Sequence, residues 1–298
     1  MGVTEVFGHR GTGYLPENTM ESFQLAFDQG SDAIEFDLVP TSDSQLIIRH
    51  EPELSKTTNI AALDEFEKKK STEVIAGEEI TGWFSHRLTS REILQLRATE
   101  RDSRRTESAE NDGKFMIPTL GDLLAAPEFF GKKLIIELKH PDYFLEQGFD
   151  LPQMLKMELD IAELDPEASH NFVIESFDWR GLIRAKELIG NRASYVFLAE
   201  PSTTPDDVDL LVDAVSDNFD GLSLALPQFL SKFDEEQIEL NDMLAKIKAK
   251  GLWAYTYTAR IEQAINVDRD FKALAEAGFD GIFADQPDIF RKFVSHEK

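Results

Sequence analysis

The chain reads as an α/β protein, a (β/α)8 TIM barrel with an insertion after the second strand. Three observations lead there. Short apolar runs alternate with amphipathic stretches almost from end to end. With one short excursion set aside, the strand-like runs number eight. Chemistry-bearing side chains sit at or just past the carboxyl ends of the first two, where barrels and open α/β sheets build their sites. An open doubly wound sheet is the competing topology, but no glycine-rich dinucleotide fingerprint follows the first strand.

The first strand runs from Val3 to Gly8. Asn18 to Gly30 reads as a helix with Met20, Phe23, Leu25, Ala26 and Phe27 on its apolar side and Gly30 at its end. Ala33 to Val39 is the second strand. Leu46-Ile47-Ile48 follows too closely for a crossover helix, so it is expected as a hairpin-like excursion that returns His50 to the same end of the barrel. The later strands are Lys133 to Lys139, Asn171 to Ser176, Ala193 to Leu198, Gly221 to Leu224, Leu252 to Thr258 and Gly281 to Ala284. Helices are expected at Leu151 to Leu164, Trp179 to Leu188, Pro205 to Val215, Glu235 to Lys250 and Glu262 to Ala277. Residues 51–115 break this rhythm. They carry Lys68-Lys69-Lys70, Trp83-Phe84 and a polar stretch from Arg101 to Lys114, and are expected to form an insertion over the barrel mouth with a mobile polar half. No linker or repeat divides the sequence, so residues 1–298 are read as a single domain.

A length of 298 residues is normal for one barrel and buries a large core. With 42% hydrophobic and 29% charged residues, the composition is that of a soluble globular protein. No apolar run approaches the roughly 20 residues that span a bilayer. No basic region and apolar core precede Thr4, so a cytoplasmic location is expected. The absence of cysteine excludes disulfides, thiolate metal sites and a cysteine nucleophile. A formal charge of −25 argues against nucleic-acid binding and against anionic membrane surfaces. Neither a nucleic-acid partner nor stable membrane insertion is therefore expected; a homo-oligomer stays open.

Glu35 and Asp37 lie two apart on a strand and so share a face. Glu137 is an acid embedded in the apolar run Leu134-Ile135-Ile136, a costly place for an unpaired charge. Three carboxylates from two strands, without cysteine, suit one hard divalent cation, Mg²⁺ or Ca²⁺. Ion pairs with Arg10 and Lys139 are the competing explanation for these acids. His9 and His50 follow apolar strand segments and exchange protons near neutral pH. Arg10 and Lys139 are candidates to hold phosphate oxygens, which also answers how so acidic a chain would take an anion. His86, His140, His170 and His296 read as ordinary surface or loop residues, with His140 close enough to Lys139 to line the mouth. No Gly-x-Ser-x-Gly elbow and no Gly-Lys-Ser/Thr phosphate loop is present.

Phe7-Gly8-His9-Arg10-Gly11, Pro16-Glu17-Asn18-Thr19, Ala33-Ile34-Glu35-Phe36-Asp37, His50 and Thr57-Thr58-Asn59 together resemble the signature of the glycerophosphodiester phosphodiesterases. The likeness continues at Ile117-Pro118-Thr119-Leu120, Ile136-Glu137-Leu138-Lys139, Ser176-Phe177-Asp178, Tyr255-Thr256-Tyr257-Thr258 and Gly281-Ile282-Phe283-Ala284-Asp285. The resemblance implies a barrel with an insertion after its second strand. It implies a divalent metal on Glu35, Asp37 and Glu137, an acid/base pair in His9 and His50, and substrate contacts from Arg10, Lys139, Glu17, Asn18, Phe177 and Tyr257. The implied reaction converts a glycerophosphodiester and water to glycerol 3-phosphate and an alcohol. Glu51, Tyr257, Arg260 and Gln286 stand where the family often has Asp, Trp, Asn and Arg, departures that bear on substrate preference. The alternatives are a lysophospholipase D-like or sphingomyelinase D-like enzyme acting on phospholipid head groups, and a phosphodiester-binding barrel without catalysis.

Overall fold

The computed structural model describes residues 3–164, 170–203 and 205–294; His296 lies outside the described residues. Eight parallel strands follow one another around a ring: β1 (Glu5–His9), β2 (Ala33–Pro40), β3 (Lys133–Leu138), β4 (Asn171–Ser176), β5 (Ala193–Leu198), β6 (Gly221–Ala225), β7 (Trp253–Ala259) and β8 (Gly281–Ala284). β1 pairs with both β2 and β8, which closes the barrel. The Leu46–Ile48 segment pairs antiparallel to β2, Leu38 opposite Ile48, and so returns the chain to the carboxyl end of the barrel, as expected.

The main outer helices are α1 (Met20–Asp28), α2 (Leu151–Ala162), α3 (Trp179–Ile189), α4 (Pro205–Asn218), α5 (Met243–Ala249) and α6 (Val267–Glu276). Their starts are set by side-chain caps: Thr19 accepts from the Ser22 amide, Asp178 from Gly181 and Asn266 from Arg269. The helix expected over Glu235 to Lys250 is shorter. Its first part is a hairpin arm instead, with Leu230–Phe233 antiparallel to Ile238–Leu240. The alternation Gln237-Ile238-Glu239-Leu240 has period two, which suits a strand, and Asn241-Asp242 then opens α5. Likewise α6 begins at Val267, because the Asn266 cap fixes its start and leaves 261–265 as turn.

Strand alternation decides which residues see the barrel interior. Phe7, Ala33, Ile135, Val173, Val196, Tyr255 and Phe283 form a buried inner layer. Two residues further along β1, β2, β3 and β4 are His9, Glu35, Glu137 and Glu175, which therefore point the same way, toward the carboxyl mouth. The apolar layer is a floor and the polar layer rests on it.

The segment 51–115 carries an antiparallel hairpin, Ser71–Ile75 with Glu78–Gly82, and Trp83 anchors it by donating its indole N–H to the Phe66 carbonyl at 2.6 Å. The polar half expected to be mobile folds back on the mouth instead. It forms a short helix, Thr106–Ala109, and Arg101 and Arg105 tie it to acids of the barrel loops. Its charges find partners there, which a composition-based reading of disorder does not count.

Candidate active site

The loop after β1 carries the first groups. Gly11 sits at φ +93°, and a Cβ there would collide with Ser22 Oγ, so only glycine lets the loop lie on α1. Arg10 also takes a left-handed φ of 52°, which aims its backbone N–H at Glu35 Oε2, 2.9 Å away. Its guanidinium reaches Glu17 at 3.2 Å and Asp37 at 3.4 Å. Arg49, fully buried, donates to the carbonyls of Glu17, Asn18 and Thr57 and so fastens the Pro16–Thr19 loop to the insertion.

His9 donates from Nδ1 to Asp285 Oδ1 at 2.6 Å, which leaves Nε2 as the acceptor. Asp285 stands just after β8. Its other oxygen meets Arg105 from the insertion and Arg260, the latter at 2.8 Å. Burial would raise the Asp285 carboxyl, but His9, Arg260 and Arg105 hold it well below the usual range. Burial and the neighbouring Arg10 lower His9 to about 4, against the pull of Asp285. His50 lies with Nδ1 2.9 Å from Glu51 and Nε2 3.1 Å from Lys139 Nζ. Burial, Arg10 and Lys139 lower it as well. Both shifts favour the neutral imidazole.

Four carboxylates line the interior. Glu35, Glu137 and Glu175 offer oxygens that all lie within 4.8 Å of one another, and all three are buried. Burial raises Glu35 and Glu175 well above the carboxylate range, with neighbouring carboxylates adding to the effect. Burial also raises Glu137, to about 7, against the nearby Lys139 and with Asp37 adding. Lys139 holds Glu137 at 2.7 Å and stands 3.7 Å from Asp37. Asp37 accepts from Asn18 Nδ2 at 2.9 Å and is drawn well below its ordinary value, in spite of burial, by His50, Arg10 and Lys139. Glu175 Oε2 and Asp37 Oδ1 have no hydrogen-bond partner. An oxygen-only donor set, mutual repulsion and orphaned buried oxygens fit a hard divalent cation.

Of the residues singled out in the sequence, His9, Arg10, Glu35, His50, Glu137, Phe177 and Tyr257 share one cavity of about 780 Å³. Phe177 and Tyr257 meet edge to face at 5.9 Å and form its aromatic wall. Lys139 bridges the acids and His50. Glu17 lines an adjoining cleft with Arg101 and Arg105. Asn18 was expected at the substrate; it is fully buried behind Asp37, because its side chain serves that carboxylate. Asp37 was expected beside Glu35 and Glu137 on the cation. It does stand against both, close enough for its charge to raise them, and Glu175 converges with the pair as a further acid, while Arg10, Asn18 and Lys139 engage Asp37.

Glu175, Asp285, Arg105 and Glu51 complete the picture; the sequence reading marked Glu51 only as a departure and Asp285 only as part of a motif, and gave Glu175 and Arg105 no role. Glu175 had a legible signal, since it is an acid inside the apolar run Phe172-Val173-Ile174, as Glu137 is on the preceding strand. His86, expected as an ordinary surface or loop residue, lies in a short turn of the insertion and is buried; it pairs with Glu73 of the insertion hairpin at 3.1 Å.

The sequence profile of the glycerophosphoryl diester phosphodiesterase family matches residues 9–289. A glycerophosphodiester phosphodiesterase of Arabidopsis thaliana is 26% identical over 93% of this chain and 82% of its own length. One of Bacillus subtilis is 24% identical over 95% and 84%. Among solved structures, an Oleispira antarctica phosphodiesterase in complex with the product sn-glycerol-3-phosphate superposes with a TM-score of 0.67 at 21% identity, covering 98% of this chain and 96% of that one. A glycerophosphodiester phosphodiesterase of Agrobacterium tumefaciens does so with 0.63 at 20% identity, covering 97% and 99%. These two likenesses establish the barrel fold.

Proposed function

This chain belongs to the glycerophosphoryl diester phosphodiesterase family, and from that premise we propose that it hydrolyses glycerophosphodiesters to glycerol 3-phosphate and an alcohol with the help of one divalent cation, Mg²⁺ or Ca²⁺. The observation that carries the reading is the convergence of Glu35, Glu137 and Glu175 in the cavity that His9 and His50 also line.

Glu35, Glu137 and Glu175 would hold the cation, with Asp37 beside them. When bound it would neutralise the carboxylates and polarise a phosphoryl oxygen. Arg10 and Lys139 bind the phosphate and stabilise the charge that builds on its equatorial oxygens. The Asp285 carboxylate keeps the His9 proton on Nδ1, so Nε2 accepts the proton of the attacking nucleophile, and the imidazolium that forms is paired at once. His50 delivers a proton to the leaving alkoxide. Its Nε2 faces the ammonium of Lys139, a proton donor at 3.1 Å. Burial is the larger cause of the lowered imidazoles; the incoming phosphodiester, an anion, offsets the smaller part that Arg10 adds at both and Lys139 adds at His50. Phe177 and Tyr257 pack on the carbon skeleton of the substrate.

The test is a panel of glycerophosphocholine, glycerophosphoethanolamine and glycerophosphoglycerol, each with added Mg²⁺, Ca²⁺ or chelator, read by release of glycerol 3-phosphate. Release with metal and none with chelator is expected. No release from any of the three with either metal would refute the reading.

A further inference from the structure

The acids and imidazoles occupy one end of a cavity of about 780 Å³. That volume is in the range that encloses drug-sized ligands, roughly 300–1,000 Å³, whereas a glycerophosphoryl group has only about ten non-hydrogen atoms. The rest of the lining is mostly apolar, with Ser231, Lys232, Gln263 and Asp270 among it. Leu198 and Ala225 come from the ends of β5 and β6, Leu230 and Phe233 from the hairpin arm before α5, and Phe271 and Leu274 from α6. Leu198, Ala225, Phe271 and Leu274 are buried and back this wall, while a small polar diester would leave the accessible Leu230 and Phe233 against water, at a cost of about 25 cal/mol for each Å² of apolar surface it fails to cover. At the outer end Phe233 is 39% exposed, an apolar side chain held out beside the opening. The hairpin that carries it is where the expected long helix is absent, so the apolar wall is built by a local feature of this chain.

We propose that this wall binds a hydrocarbon chain, and that the preferred substrates are single-tailed amphiphilic phosphodiesters, held with the phosphate at the acids and the tail along Leu226, Leu230 and Phe233. The proposal rests on reading the polar end as a phosphodiesterase site. The bond change is that of the parent reaction. The oxygen of water bonds to phosphorus, the phosphorus–oxygen bond to the alcohol breaks, one proton of the water goes to the departing oxygen and the other is released as the phosphate monoester ionises. A tail on the glycerol gives an acylglycerol phosphate and a free head-group alcohol; a tail on the alcohol gives glycerol 3-phosphate and a long-chain alcohol.

The experiment compares kcat/KM of the metal-loaded protein for glycerophosphocholine, monododecanoyl glycerophosphocholine and the dodecyl ester of glycerol 3-phosphate, all below their micelle concentrations. At least one tailed substrate is expected to exceed the untailed one tenfold or more, and the two arms identify which side carries the tail. Within a hexyl-to-dodecyl series the gain should be about two- to fourfold per methylene until the wall is covered. Phe233→Glu is expected to collapse the tailed-to-untailed ratio by tenfold or more. Hydrolysis of glycerophosphocholine as fast as both tailed diesters would overturn the tail cleft while leaving the phosphodiesterase reading standing. A ratio unmoved by Phe233→Glu would also overturn it, assigning the apolar wall to another occupant. If none of the three is hydrolysed, the parent reading fails, and calorimetry with dodecylphosphocholine against hexylphosphocholine decides the cleft alone: tighter binding of the longer chain upholds it, equal or no binding overturns it.

Discussion

Replacing Asp285 by Asn tests the catalytic assignment of His9 without altering shape. In the native protein one oxygen of Asp285 accepts the His9 Nδ1–H at 2.6 Å, and the other faces two guanidiniums, Arg105 and Arg260. An asparagine must orient one oxygen and one NH₂ group in that setting. The guanidiniums are donors, so the amide oxygen turns to them and the NH₂ points at His9. His9 must then accept at Nδ1 and carry its proton on Nε2, the tautomer that cannot take a proton from the nucleophile. The expected loss in kcat is about 10²–10⁴-fold, the range of a positioned acid/base group. KM should change little, because Asp285 is behind the imidazole. The assay is steady-state hydrolysis of glycerophosphocholine, with circular dichroism to confirm the fold and ¹⁵N NMR of the imidazole to read the tautomer. Turnover within about threefold of wild type, with the tautomer inverted, would refute the role given to His9.

Other expectations follow from the same geometry. His50→Ala should slow turnover by about 10²–10⁴-fold with an unchanged unfolding midpoint in denaturant, and near-normal kcat would remove it as the acid. Since burial holds folded His9 near 4 against 6.5 for the free side chain, the unfolded chain binds the extra proton between those values. Its contribution to stability is therefore fully present above pH 6.5 and is lost as pH falls toward 4, up to roughly 3 kcal/mol. Urea titrations at pH 7 and pH 5 should show wild type losing about 2 kcal/mol more than His9→Asn, and equal losses would contradict the buried neutral imidazole. Saturating Mg²⁺ or Ca²⁺ should raise the melting temperature of chelator-treated protein, since about 100 times the Kd of a ligand adds about 2.7 kcal/mol. Glu175→Gln should shrink that rise, and a full shift in the variant would take Glu175 out of the cation's surroundings.

The barrel was legible because both of its signals are local. Apolar runs such as Leu134-Ile135-Ile136 mark strands, and capped amphipathic segments such as Met20–Asp28 mark helices. The short Leu46–Ile48 excursion could be placed because no crossover fits into the few residues before it. His9, Arg10, Glu35 and Glu137 were legible as polar groups in or just after apolar strands, where their cost demands a use. What escaped depends on distance in space. Asp285 matters because β8 lies beside β1, and Arg105 because the insertion folds back over 180 residues of sequence to reach it. Asn18 looked like a substrate contact from its motif; only packing shows it buried behind Asp37. The hairpin at Leu230–Leu240 was missed because a seven-residue helix at its end lent the whole stretch a helical look.

Isothermal titration of Mg²⁺ and Ca²⁺ into chelator-stripped protein, with hydrolysis of glycerophosphocholine followed on the same samples, tests the central claim most directly. One ion per chain, affinity weakened tenfold or more by Glu137→Gln, and activity that rises in step with occupancy are expected. Full hydrolysis by metal-free protein, or activity indifferent to filling of the site, would contradict the account.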